Sequence, residues 1–130
     1  MTRLPAPPTE HEEQVALFQF LDMHQWLEPR LQWTFAVPNG SHRHPAVAAK
    51  LKAEGVKPGV LDVWSPCPVG DYNGLVVEMK RTKGGRIEPE QRAWIDALRR
   101  MAWRVEVCKG WIEAARVFVD YFGMPKDAAP

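Results

Sequence analysis

Apolar positions first recur at helical spacing between residues 10 and 27, where Val15, Leu17, Phe18, Leu21 and Trp26 form a stripe among polar neighbours. Thr9 is a good N-cap with Glu12 three residues later, as in a capping box, so a helix is predicted from about Glu10 to Leu27. After Pro29, Gln32 to Val37 reads as a strand ended by the turn signal Pro38-Asn39-Gly40. A short helix over His44 to Glu54 closes at Gly55, a brief apolar strand follows over Val60 to Trp64, and Pro66 to Asn73 is a loop. Gly74 to Lys80 is the clearest strand. Period-two geometry puts Leu75, Val77 and Met79 on one face and Val76, Glu78 and Lys80 on the other, and both of these strands read as central. Pro89 suits the first turn of a helix that carries Trp94, Ile95 and Leu98 inward. Arg104 to Cys108 returns as a strand before a last helix over about Ile112 to Phe122. The order helix, strand, helix, strand, strand, helix, strand, helix predicts one mixed α/β layer fold, a sheet covered by helices.

Composition narrows this further. With 130 residues there is room for one domain, and 45% apolar residues with six tryptophans exclude disorder. Residues 1–8, with three prolines, read as a flexible N-terminal arm, 9–123 as the domain, and 124–130 as a frayed tail. No apolar run approaches the roughly 20 residues of a membrane span, and the start lacks the apolar block of a signal peptide, so a cytoplasmic protein without membrane partners is expected. Cys67 and Cys108 are far apart and lack zinc-finger spacing. The tryptophans at 33, 94, 103 and 111 have apolar neighbours and read as core rather than as base-stacking platforms.

The net charge of +1 hides a segregation. Residues 1–28 carry one Arg against five acids, whereas Lys80 to Arg104 carry eight basic residues against Glu88, Glu90 and Asp96. Such a run is either a solvated helix face or the footprint of a protein that holds a polyphosphate.

Glu78 and Lys80 share a strand face, and a hairpin-like connection places Asp62, expected at the middle of the preceding strand, alongside. For an isolated E-x-K the ordinary reading is a same-face ion pair, with Asp62 capping a turn. In central strands, however, unpaired buried charge costs several kcal/mol, and a bound cation compensates it. Asp62, Glu78 and the carbonyl of Met79 supply hard oxygen ligands suited to Mg²⁺. Lys80 would then face an attacking water.

This arrangement is similar to that of the PD-(D/E)XK nucleases, and the chain resembles their virus-type replication-repair nuclease family, VRR-NUC, from Thr9 to Phe122. Thr9-Glu10 with Gln14 resembles the family's opening helix, Val37-Pro38-Asn39-Gly40 its turn, and Ala53 to Val60 its glycine-rich approach to a catalytic Asp, here Asp62. Asn73-Gly74-Leu75 through Glu78-Met79-Lys80 matches its G-L-x-x-E-x-K strand, and Pro89-Glu90-Gln91 with Trp94 its P-x-Q-x-x-W helix. Leu61 stands where a Pro is usual before the Asp, and Glu88 where a Ser commonly caps the helix. Neither departure removes a ligand.

The resemblance implies a restriction-endonuclease-like α/β core with a central mixed sheet flanked by helices. It further implies a Mg²⁺- or Mn²⁺-dependent, structure-specific DNA endonuclease of the stand-alone phage or bacterial type, acting in the cytoplasm or nucleoid without an organic cofactor. Four-way (Holliday) junction resolution by a homodimer is expected, with Val117, Phe118 and Tyr121 of the last helix or the N-terminal arm as its contact. A less selective flap or single-strand nuclease and a non-catalytic DNA-binding module are the alternatives, and RNA is not excluded by the residues. The expected site comprises Glu10, Asp62, Glu78, Lys80 and Gln91, with metal on Asp62, Glu78, the Met79 carbonyl and, through water, Glu10. Glu10 is chosen over Glu13 because it shares a helix face with Gln14 and Leu17, although Glu13 stays open. Asn39, Arg43, Arg81, Lys83 and Arg86 are expected on DNA, and His42 and His44 on phosphate or solvent rather than in catalysis.

Overall fold

The computed structural model describes residues 3–38 and 44–130. The Asn39-Gly40 turn, His42 and Arg43 lie outside the described residues. The order of elements is as the pattern predicts: α1 (Glu10–Met23), β1 (Phe35–Ala36), α2 (Pro45–Ala53), β2 (Val63–Ser65), β3 (Leu75–Lys80), α3 (Pro89–Arg100), β4 (Arg104–Lys109) and α4 (Trp111–Phe122). The four strands form one mixed sheet in the order β1-β2-β3-β4. β2 and β3 are antiparallel with Val63 opposite Val77, and β3 and β4 run parallel through the α3 crossover, with Glu78 opposite Val107.

Both faces of β3 are buried, in keeping with its apolar Leu75, Val76, Val77 and Met79, and Glu78 and Lys80 are buried with them. Leu75, Val77 and Met79 pack with Leu17 and Leu21 of α1 and Phe118 of α4. Val76 packs on the other face with Leu61, Ile95, Leu98 and Val105. The sheet is therefore covered by α1 and α4 on one side and α3 on the other, and Glu78 and Lys80 point to the α3 side. Among the described residues no helix is long and apolar enough to cross a membrane.

Several boundaries differ from the sequence reading, each for a local reason. α1 is capped as expected, Thr9 Oγ1 accepting from the Glu12 N–H and Glu12 accepting from the Thr9 N–H, both at 3.1 Å. It ends at Met23, because His24 Nδ1 donates to the Phe20 carbonyl at 2.7 Å and the chain tightens into turns. Its inward face is Glu13, Leu17, Phe20 and Leu21, which leaves Val15 and Trp26 exposed. The strand expected from Gln32 is instead a 3₁₀ turn over Pro29–Trp33 followed by two strand residues. Pro29 presets its dihedral angle and Glu28 accepts the Arg30 N–H at 3.0 Å. Trp33 consequently faces solvent at 62% exposure rather than joining the core.

Residues 124–130 pack rather than fray: Met124 is buried, Lys126–Ala128 form a 3₁₀ turn, and Arg116 donates to the Pro130 carbonyl. The contact face expected on α4 is also corrected. Phe118 and Tyr121 are core residues, the Tyr121 hydroxyl donating to the Cys67 carbonyl at 2.6 Å, because that face of the helix covers the sheet.

Candidate metal and nuclease site

Asp62 was expected within a strand, yet it sits one residue before β2. Its backbone explains the difference. The Asp62 N–H donates to Glu78 Oε1 at 3.2 Å, so it is committed to a side chain rather than to the sheet ladder. In return the Met79 N–H donates to Asp62 Oδ2 at 2.9 Å. These reciprocal bonds clamp the Asp62 and Glu78 carboxylates across the end of the β2/β3 pair. A strand residue turns its N–H and C=O to the same edge, so the Met79 carbonyl also faces the Asp62 side.

Glu10 opens α1 and reaches the same place. One carboxylate oxygen from each of Glu10, Asp62 and Glu78 lies within 4.8 Å of the others. Glu13 goes elsewhere: its Oε2 accepts the Trp111 N–H at 2.6 Å at the start of α4, where the N-cap is Gly110 and has no side chain to offer. A carboxylate there also suits the positive end of the helix dipole. Gly110 is required, since its φ of +86° is left-handed and a Cβ would meet Thr82 Cγ2 at 2.8 Å.

On the α3 side, Lys80 Nζ lies 3.3 Å from Glu78 Oε2 and donates to Gln91 Oε1 at 3.2 Å. Gln91 Nε2 donates to Glu78 Oε2 at 2.6 Å, and Gln91 Oε1 also accepts the Glu88 N–H at 3.0 Å at the start of α3. Gln91 thus keeps the helix start closed through the Glu88 backbone, and Leu61 sits fully buried beneath the site in place of the proline. The structure brings together Glu10, Asp62, Glu78, Lys80, Gln91 and the Met79 backbone.

The electrostatics are those of a site short of positive charge. Burial, then the charge of Asp62, pushes the Glu78 carboxyl up to about 8, with Lys80 opposing. Burial and Asp62 also raise Glu10, opposed by Lys80 and Arg81. Ionising all three carboxyl groups against the ammonium of Lys80 would leave excess negative charge in a cleft, and hard oxygens at this spacing fit a divalent cation such as Mg²⁺ or Mn²⁺.

The acidic cluster lies in a cleft of about 640 Å³. Its far wall is α2 and the loop after it, including Leu51, Lys52, Val56 and Lys57. The sequence reading missed these lysines, although Lys50, Lys52 and Lys57 form a basic cluster just ahead of Asp62. Arg81, Lys83 and Arg86 are exposed on the loop between β3 and α3, and Arg86 Nε pairs with Glu88 at 3.1 Å. His44 caps α2, its Nδ1 accepting from the Ala46 N–H at 3.1 Å.

The VRR-NUC domain model matches residues 9–111. A solved structure described as a VRR_NUC domain protein is 24% identical and superposes with a TM-score of 0.75 over 92% of this chain and 93% of its own. That likeness establishes the shared α/β fold, whose mixed sheet and flanking helices agree with a PD-(D/E)XK-like core. No curated protein matches the chain.

Proposed function

The chain belongs to the VRR-NUC domain family, a family of nucleases, and from that premise we propose that it is a structure-specific DNA endonuclease dependent on Mg²⁺ or Mn²⁺. The observation that carries the metal dependence is the convergence of Glu10, Asp62 and Glu78 within 4.8 Å. Asp62, Glu78 and the Met79 carbonyl would hold the ion, with Glu10 completing the set directly or through water. When bound, such an ion polarises a phosphoryl oxygen and lowers the pKa of a coordinated water.

The remaining roles belong to the chain's own groups. Lys80 presents donors beside Glu78, where an ammonium orients a water and stabilises charge developing on phosphate. Gln91 holds Lys80 and Glu78 in register through its two amide atoms and fixes both to the start of α3. Arg81, Lys83 and Arg86, together with Asn39 and Arg43, contribute contacts to the DNA backbone, and such contacts set position rather than sequence. Intact Asp62, Glu78 and Lys80 favour an enzyme over a DNA-binding module of the same fold.

A four-way junction needs two symmetric cuts, so the preferred substrate reading is junction resolution by a two-fold dimer. The test is cleavage of labelled four-way junction, flap and linear duplex DNA with Mg²⁺, with Mn²⁺ and with chelator, alongside sedimentation. Paired cuts in the junction that require the divalent ion, made by a dimer, are expected. A monomer that cuts flaps as fast as junctions would instead be the less selective nuclease, and cleavage in chelator would end the metal reading.

A further inference from the structure

The far wall of the cleft is built unlike the rest of the molecule. No residue of α2 is buried, Val47 and Val56 are about half exposed, and helix α2 makes no more than marginal contact with any other helix or strand among the described residues. Isolated helices of nine residues are marginal in water, so a helix left unburied in this way is not explained by the stability of the free fold. The loop that follows is held differently. The Trp94 indole donates to the Pro58 carbonyl at 3.1 Å, and Gly59, with φ +74°, presses so closely on α3 that a Cβ would lie 2.5 Å from that of Glu90. Lys57 is thereby fixed next to an anchored turn, while Lys52 projects from the last turn of α2.

Both lysines line the cleft that holds Glu10, Asp62 and Glu78. The side-chain ammonium of neither has an ion-pair or hydrogen-bond partner among the described residues. The same wall also offers Leu51, Val56 and Pro58. A wall that combines unpaired ammonium groups with small apolar surface is complementary to a nucleotide strand, whose anionic phosphates are spaced by apolar sugar faces. It also counters the repulsion an anionic strand meets from the carboxylates opposite.

We propose that Lys52 and Lys57 bind backbone phosphates flanking the scissile bond, so that α2 and its loop form a DNA-strand clamp across the cleft from the acidic cluster. This rests on the nuclease reading and extends it to a surface outside the Arg81 to Arg86 loop. Each phosphate contact by a lysine releases condensed counterions, so the two should contribute about 1.4 to 1.8 to the slope of log affinity against log salt. Removing both should weaken binding about tenfold or more near physiological salt, uniformly across sequences.

The experiment uses the full chain carrying Glu78→Gln, so that DNA stays intact, and measures binding of a labelled four-way junction by fluorescence anisotropy from low to high salt. Adding Lys52→Ala and Lys57→Ala should lower both affinity and slope as stated, whereas adding Lys126→Ala, outside the cleft, should change neither. In the otherwise wild-type chain the lysine pair should raise KM with kcat at saturation held within about twofold, since neither touches the reacting atoms. Unchanged affinity and slope in the lysine variant overturn the clamp, as does an equal change with Lys126→Ala. Normal DNA binding with loss confined to an RNA strand of the same sequence overturns the DNA assignment. If wild-type chain fails to cut DNA with any divalent ion while the lysine variant loses DNA binding, the lysine wall stands as a DNA-strand contact and the nuclease reading, with the scissile bond, falls. If wild type cuts and the variant binds like its parent, the reverse holds.

Discussion

Two walls of one cleft are made in opposite ways. On one side, Asp62, Glu78 and Lys80 stand at the end of central strands, over fully buried Leu61, Val76 and Ile95, and each side chain is held by a partner in or beside β2, β3 or α3. On the other, no residue of α2 is fully buried and Lys52 is exposed along the cleft. Groups that must hold a metal and a water within a fraction of an ångström benefit from a scaffold that cannot move, and packed cores are such scaffolds. Contacts to a polyanion need charge and reach rather than fixed geometry. On the proposed reading, chemistry belongs to one wall and substrate retention to the other.

The sharpest way to break that division is to remove charge from the rigid wall while keeping its shape. Asp62→Asn and Glu78→Gln should each lower the cleavage rate about a thousandfold or more, equivalent to about 4 kcal/mol of transition-state stabilisation. DNA binding, measured by anisotropy, should persist because the basic residues remain. Wild-type rates in both variants would remove the rigid wall from the chemistry.

Stability should divide the walls in the same way. Leu61→Ala empties a fully buried position under the site and should cost about 2 to 5 kcal/mol in denaturant unfolding. Leu51→Ala, on the unpacked wall, should stay within about 0.5 kcal/mol. Equal costs would mean that α2 is part of the core after all.

A smaller effect should appear with pH in metal-free protein. The folded-state pKa of Glu78 is raised to about 8 from an ordinary 4.5, chiefly by burial, so the folded state favours the protonated carboxyl. The associated stability is fully present below pH 4.5 and is lost as pH rises through about 8. In chelator, the melting temperature should therefore fall between about pH 4.5 and pH 8 more in wild type than in Glu78→Gln, and Mn²⁺ should restore it most at the high end. A pH profile identical in the two proteins would contradict the charge shortage inferred for the site.

Much of the rigid wall was legible in the sequence because its signals are local and periodic. The alternation in Leu75 to Lys80 placed Glu78 and Lys80 on one face, and Pro89 marked the start of the helix that delivers Gln91. Glu10 arrived at the acidic cluster on the face that its spacing to Gln14 suggested, although the inward face of α1 includes Glu13 as well. What stayed hidden depends on groups distant in sequence. Asp62 leaves the strand because its N–H bonds to Glu78 sixteen residues later, and Glu13 is drawn to a helix start 98 residues away. Phe118 and Tyr121 looked available for a partner because an amphipathic stripe does not reveal whether it faces its own sheet or another chain. Lys52 and Lys57 are an ordinary basic cluster in sequence until the turn at Pro58-Gly59 folds them against the cleft.

The central claim, that Glu10, Asp62 and Glu78 together form a divalent-cation site, is tested most directly by calorimetric titration of Mn²⁺ into chelator-treated protein at two buffer ionisation enthalpies. The account predicts saturable binding with proton release near neutral pH, as the raised Glu78 carboxyl ionises. It also predicts that binding is lost in Asp62→Asn and Glu78→Gln and weakened in Glu10→Gln. Binding of Mn²⁺ to Glu78→Gln with unchanged affinity, or no saturable binding to the wild-type chain, would contradict it.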